Sequence, residues 1–169
     1  MSYTVKNLQS FRTPDGGGFN ATLYRDGKRI AHVHDAGRGG CYSIDFVQGV
    51  DRHAEAALLK TAADALPQES FTSGGVVTHY QPDVDMLISG FVSAVEDAKQ
   101  DKRLLKMLAT TCMFTDPSKP GIQMLAKTHK PDPILFVKLR QKYPAAVILN
   151  ELPPEQALAL IKAEQNSND

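Results

Sequence analysis

The run FNATLYRDGKRIAHVHD, residues 19–35, constrains the fold more than any other stretch. Apolar and polar residues alternate from Phe19 to Tyr24 and again from Arg29 to His34, with Arg-Asp-Gly-Lys between them. Asp-Gly between two alternating runs is the strongest short-range hairpin signal, because both residues tolerate the positive φ that a tight turn requires. A two-residue Asp26-Gly27 turn would pair Leu23 with Ile30 and Ala21 with His32. A three-residue Arg25-Asp26-Gly27 loop would pair Leu23 with Arg29 and Ala21 with Ala31. One residue of slip exchanges the two faces of a strand. The second register separates apolar from polar better, with Phe19, Ala21, Leu23, Ala31 and Val33 on one face and Asn20, Thr22, Tyr24, His32 and His34 on the other. It is the expected one.

Strands are expected on either side. Tyr3 to Phe11 reads as a first strand, ended by the Pro14-Asp15-Gly16-Gly17-Gly18 loop signal. After the Ala-Gly-Arg-Gly-Gly turn, Cys41 to Val47 alternates again, with Tyr42, Ile44 and Phe46 opposite Cys41, Ser43 and Asp45. Together these make an antiparallel meander of three or four strands. Helices are expected next, one capped by Asp51 and running to Leu66 and a clearer one capped by Asp83. The second carries a stripe of Val84, Leu87, Ile88, Phe91, Val92, Val95 and Ala98. Residues 67–82 read as a long loop with VVTHY as a short strand. TTCMFT and IQMLAK read as strands around a Pro-Gly turn, and Asp132-Pro133 opens a short helix. AAVILN reads as a buried strand, PPEQALALIKAEQ as a last helix, and NSND as a tail. The fold class is α+β: an N-terminal antiparallel β-meander covered by helices, with a C-terminal β-hairpin, a strand and short helices. The expected organisation is one domain over residues 1–165, with strands in 1–50, helices in 51–109 and a mixture in 110–165, followed by a tail at 166–169.

Composition narrows the class. The 169 residues are 42% hydrophobic and 22% charged, ordinary for a globular protein. The two cysteines, Cys41 and Cys112, belong to no CxxC or CxxH pattern; free thiols in a reducing compartment are the expectation, with a single disulfide between them as the alternative. The N-terminal run is too polar for a signal peptide, and no apolar stretch approaches a membrane span. A cytoplasmic protein is the expectation.

Residues 30–46, IAHVHDAGRGGCYSIDF, invite a chemical reading. His32 and His34 share a strand face, and Asp45 on a neighbouring strand is a third possible ligand for a metal-dependent hydrolase. HxH alone is a weak signal, and a solvated sheet face explains it as well. A nucleophile reading would use Cys41 or Ser43 with His32 or His34 as base and Asp35 or Asp45 as orienter, yet no elbow motif precedes them. The Gly-Arg-Gly-Gly turn at 37–40 suggests anion binding, with Arg38 accessible. It lacks the Lys-Ser/Thr of a P-loop and the helix that a dinucleotide site needs, since a strand follows. No catalytic residue and no cofactor are assigned. The weaker alternative is a metal-dependent hydrolase or a small-nucleotide-binding protein built on the His32/His34 face and the glycine-rich loops.

Charge is segregated although the net charge is zero. From Lys99 to Lys142 ten basic residues face three acidic ones, a local excess of +7. Lys99, Lys102, Arg103 and Lys106 recur at helical spacing, and Lys138 and Lys142 do so in the next helix. Such asymmetry speaks of partners, either nucleic acid directly or an anionic protein surface. No helix-turn-helix, zinc finger or RNP pattern accompanies it. Arg38, Lys102, Arg103, Lys106, Lys138, Arg140 and Lys142 are the expected contacts to a macromolecular partner.

The stretch GFNATLYRDGKRIAHVHDAGRGGCYSIDF resembles an N-terminal pattern of short proteins from tailed bacteriophages and related bacterial mobile elements. Theirs runs Gly-aromatic-Gly-Phe-Asn, LYRDGK, a hydrophobic strand, a Gly-Gly turn and a further strand. The basic LLKML stretch, the TTCMFT strand, the helix ending in KYP and the ILNE close are similar too, so the resemblance spans residues 5–151 loosely. Gly17 stands where an aromatic is common there, and HVHD has no counterpart. The resemblance implies a setting rather than a reaction: a phage-type accessory protein in the bacterial cytoplasm, binding a host or phage protein, nucleoprotein or nucleic acid, with a possible role against host defence.

Overall fold

A computed structural model describes residues 1–125 and 129–166. Its architecture is α+β, and its packing divides into two compact units, Met1–Asp97 and Ala98–Asp169.

The first unit opens with four antiparallel strands in the order β1-β2-β3-β4: β1 Tyr3–Thr13, β2 Gly16–Arg25, β3 Lys28–Asp35 and β4 Ser43–Phe46. Its faces fall as expected. Phe19, Ala21, Leu23, Ala31 and Val33 are buried in one core cluster, and Tyr42, Ile44 and Phe46 pack against it. His32 and His34 lie exposed on the other face. The expected register, however, is corrected. Ala21 pairs with Val33 and Leu23 with Ala31, while Tyr24 pairs with Arg29 and Arg25 with Lys28. The turn is the two-residue one, with Asp26 at φ 48° and Gly27 at φ 80°, both left-handed as a type I′ turn demands. An extra residue, Ile30, bulges on β3 and restores the face that the turn alone would have exchanged. The Asp26 carboxylate also accepts from the Ser2 amide at 2.8 Å, and the Asp26 amide donates to the Ser2 carbonyl, which fixes the turn against the start of β1.

β1 carries its own bulge between Lys6 and Gln9, with Asn7 at φ 55°. Asn tolerates this conformation better than most side chains, and the bulge lets Leu8 join Tyr3 and Val5 in the core. Two helices cover the inner face: α1, Arg52–Asp64, and the first part of α2, Val84–Thr110. Asp51 caps α1 by accepting from the His53 and Ala54 amides at 3.0 and 3.1 Å, an arrangement worth about 1 kcal/mol. At the other end Gln81 donates to the Leu66 carbonyl at 2.9 Å. The fully buried positions of α1 are Glu55, Leu59 and Ala63; of the residues whose helical spacing predicted an inner face, Leu58, Ala62 and Leu66 are half-buried and Ala54, Ala57 and Ala65 are exposed.

Residues 67–82, expected to be mostly loop, hold a complete hairpin: β5, Glu69–Ser73, and β6, Val76–Tyr80, joined at Gly74-Gly75. Its strands are exposed on both faces except for half-buried Tyr80, so no alternation marks them in the sequence.

In the second unit a three-stranded sheet runs β8-β7-β9, from β7 Met113–Asp116, β8 Lys119–Met124 and the two-residue β9 Val147–Ile148. AAVILN is therefore a strand only at its centre and continues into a short 3-10 turn, Leu149–Glu151. Asn150 explains the sharp change of path. Its side chain accepts from the Met113 amide at 2.7 Å and donates to the Leu108 and Thr111 carbonyls at 2.6 and 2.9 Å, tying the end of α2 to β7. Consecutive residues of β7 point to opposite faces. Met113 packs with Leu104 of α2 and with Ala157 and Ile161 of α4, Pro154–Asn166. Phe114 packs with Phe136 and Leu139 of α3, Pro133–Lys142. The unit is thus three layers, with α3 on one side of the sheet and α4 and the C-terminal part of α2 on the other. Asp132 caps α3 through the Ile134 amide at 2.9 Å, with Pro133 at the first helical position. Ala126 and Lys127 of the expected IQMLAK strand lie outside the described residues, as do residues 167–169 of the expected tail; Asn166 belongs to α4.

Candidate functional site

The outer sheet face of the first unit carries the residues that suggested a metal. The β3–β4 register sets His32 opposite Asp45 and His34 opposite Ser43. The His34 ring is engaged already: its Nδ1 sits 2.8 Å from the Asn20 amide oxygen, and the ring stacks on Phe11 with centroids 6.0 Å apart. Among the described residues no group of three His, Cys, Asp or Glu side chains is arranged to hold an ion. Cys41 is an exposed free thiol. Neither Cys41 nor Ser43 hydrogen-bonds a histidine among the described residues, so the nucleophile constellation is not assembled.

The two glycine-rich loops, some twenty residues apart in sequence, meet. Gly16, Gly17, Gly37, Gly39 and Gly40 line one cleft of about 390 Å³. β2 and β3 bring them together, because Phe19 pairs with Asp35 at the strand ends. The Thr13 hydroxyl lies 3.1 Å from the Gly16 carbonyl and 3.0 Å from the Gly37 carbonyl, and the Gly37 amide donates to Asp35 at 2.8 Å. Asp15, Asp35 and Asp85 share the lining. Backbone donors already spent on Thr13 and Asp35, beside three carboxylates, make a poor cradle for a phosphate.

In the second unit the basic residues separate by element. Lys102, Arg103 and Lys106 are exposed on α2, at the spacing that places them on one helix face. None has an ion-pair partner among the described residues. Arg103 and Lys106 stand at the rim of a groove of about 520 Å³ whose other lining includes Met107, Thr110, Met124 and Leu125. Lys138 and Lys142 are exposed on α3, in the layer on the other side of the small sheet, and the Lys142 ammonium rests 5.3 Å from the Tyr143 ring centroid. Arg140 pairs with Glu151 instead of standing free. Arg38, in the first unit, is exposed beside the glycine-rich cleft. The seven expected contacts therefore divide, and Arg103 and Lys106 share one concave site.

A group that the sequence reading passed over is Glu55, 3% exposed in the first core. Arg25 reaches it through Nε at 2.7 Å and a second guanidinium nitrogen at 2.9 Å, and the Tyr3 hydroxyl donates to it at 3.3 Å. Burial, then the adjacent carboxylate, pushes the Tyr3 phenol up to about 12 from its ordinary 10. The folded chain holds this proton after the unfolded chain has released it. Stability from the group is therefore complete below pH 10 and is lost as the pH climbs towards 12. In an alkaline titration followed by tyrosinate absorbance, we expect a late step that disappears in Tyr3→Phe; an unchanged curve would contradict the buried contact. Elsewhere burial raises the Cys112 thiol, and the hydroxyl and amide of Ser118 hold Asp116 below the usual carboxylate range.

No protein-family model, curated protein or solved structure matches the chain. No helix among the described residues is long and apolar enough to cross a membrane.

Proposed function

We propose that this chain is a non-enzymatic binding protein, a phage-type accessory of the bacterial cytoplasm whose C-terminal unit engages an anionic surface of a host or phage macromolecule. One observation carries the reading: Lys102, Arg103 and Lys106 are exposed on a single helix face with no carboxylate partner among the described residues. Displacing the ions that gather around a polyanion favours its binding to clustered cations, so a helix that concentrates three of them in solvent is poised to take up a larger anion. The charge excess of residues 99–142 supports the same reading, and the resemblance to phage proteins supports the setting.

The test is a salt titration against a labelled single-stranded oligonucleotide and a labelled polyglutamate. Three neutralised charges give a log–log slope of about −2.1 to −2.7, hence roughly a 20–40-fold loss of affinity between about 50 and 200 mM salt. The triple charge reversal Lys102→Glu, Arg103→Glu, Lys106→Glu should abolish that dependence. A flat salt response in the unsubstituted chain, with either probe, would sink the reading.

A further inference from the structure

We infer that the α2 groove is a docking site for an acidic peptide segment that inserts one apolar side chain between Arg103 and Lys106. This rests on the anionic-partner reading above and names the class of partner.

Three features of the groove select that occupant. The first is its floor. Met107, Met124 and Leu125 are apolar and adjoin in one groove, with Met124 56% exposed, so they offer a contiguous apolar surface to a partner. Methionine adapts its shape to what it meets and is over-represented on surfaces that accept apolar anchors of varied shape. The second is the rim. Arg103 and Lys106, three residues apart on α2, flank this floor with no ion-pair partner among the described residues. A segment offering carboxylates on either side of an apolar residue would satisfy both cations while it covers the floor. The guanidinium can take a carboxylate with two parallel hydrogen bonds, and the ammonium can take a second as a point charge.

The third feature is what the lining lacks. Single-stranded nucleic acid is held by aromatic platforms on which bases stack, and no aromatic residue lines this groove among the described residues. A duplex would require cations tracking its backbone over a long surface. Here Lys138 and Lys142 sit on α3, across the small sheet from the α2 face. Among the described residues the charge footprint at the groove is short, and its lining is largely apolar. Both properties suit a peptide better than a polynucleotide. The volume, about 520 Å³, falls in the range of about 300–1,000 Å³ usual for sites that bury a compact ligand.

The experiment compares three probes by fluorescence anisotropy on the full chain: a short peptide of alternating Asp and Glu around a central Leu, the same peptide with Ser for Leu, and an oligothymidylate of matched charge. The leucine peptide should bind at least about tenfold more tightly than the serine peptide, since the anchor's apolar surface leaves water. Met124→Glu, at an exposed position that the fold does not need, should remove that preference. Arg103→Glu with Lys106→Glu should weaken both peptides and lower the salt dependence. Equal binding of the two peptides, or a preference for the leucine peptide that survives Met124→Glu, overturns the groove assignment. Tighter binding of the oligothymidylate overturns the peptide assignment while leaving the anionic-partner reading standing. Failure of all three probes at low salt removes both.

Discussion

Arg25→Ala should be among the most destabilising single substitutions in the first unit, although Arg25 itself is one-third exposed. The reason lies in the residue that it leaves behind. Glu55 sits on the buried stripe of α1 with Leu59 and Ala63, and its side chain is 4% exposed. Its carboxylate is compensated by the Arg25 guanidinium and by one phenolic hydroxyl. Without the guanidinium, a buried carboxylate keeps only a neutral donor, and breaking one partner of such a pair costs about 3–5 kcal/mol. Partial access of solvent from the Arg25 side places the expected loss near the lower end of that range. The pair as a whole contributes far less than its disruption costs, because two charges must first be taken out of water. Arg25→Ala combined with Glu55→Met, which fills the volume without a charge, should therefore recover most of the lost stability. Chemical denaturation of the single and double variants checks both statements. A loss below about 1 kcal/mol in Arg25→Ala, or a double variant no better than the single one, would show that Glu55 is not held as described.

This cluster also shows where sequence reasoning stopped. A glutamate in an alanine-rich helix reads as a solvated position, and the expected stripe of Ala54, Ala57, Leu58, Ala62, Ala65 and Leu66 holds none of the three fully buried residues, although its Ala62 and Leu66 pack against the core. Alanine marks a helix without marking its inner face, since it is tolerated on either. The partner, Arg25, closes β2 beside the Asp26-Gly27 turn and has no pattern linking it to a residue thirty positions on. By contrast the inward faces of the meander were legible, because alternation on strands with one covered face is a direct record of burial. The faces of the β2–β3 hairpin came out right and its pairing wrong for a physical reason. A type I′ turn with a one-residue bulge and a three-residue loop place the same side chains inward. The bulging residue, Ile30, is itself buried and apolar, so nothing in its type distinguishes it from its neighbours.

The functional surfaces divide along similar lines. The α2 basic face was readable from the spacing of Lys102, Arg103 and Lys106, because a helix converts sequence interval into direction. The groove beside it was not, since Met124 and Leu125 come from the far end of the β7–β8 hairpin and only folding sets them against the helix. The β5–β6 hairpin left no alternating trace, for its strands cover no core and selection for burial does not act on them. His32 and His34 were conspicuous as letters, yet the structure gives His34 to Asn20 and Phe11.

Substitution of Gly37 tests the meeting of the two glycine-rich loops, and Gly39 is its internal control. Both residues have left-handed backbones, with φ of 68° and 73°, so either Gly→Ala change carries a conformational cost of about 1–2 kcal/mol. Their surroundings differ. A Cβ on Gly39 would meet nothing within 4 Å, whereas a Cβ on Gly37 would lie 2.9 Å from the Gly17 carbonyl carbon and the Gly18 nitrogen. Those neighbours are backbone and cannot rotate away. Gly18 is itself fixed, since a Cβ there would lie 2.5 Å from the Asp35 carbonyl oxygen and 2.6 Å from the Phe11 ring. Relief at Gly37 would have to move the β1–β2 turn as a body, breaking the Thr13 contact to the Gly37 carbonyl. An overpacking cost of about 1–3 kcal/mol then adds to the conformational one. Gly37→Ala should accordingly lose about 2–5 kcal/mol, and Gly39→Ala only the conformational part of about 1–2 kcal/mol. The difference between the two, measured by denaturant unfolding under identical conditions, isolates the close approach of the loops. Equal losses in the two variants would mean that the loops do not touch, and the cleft between them would lose its walls.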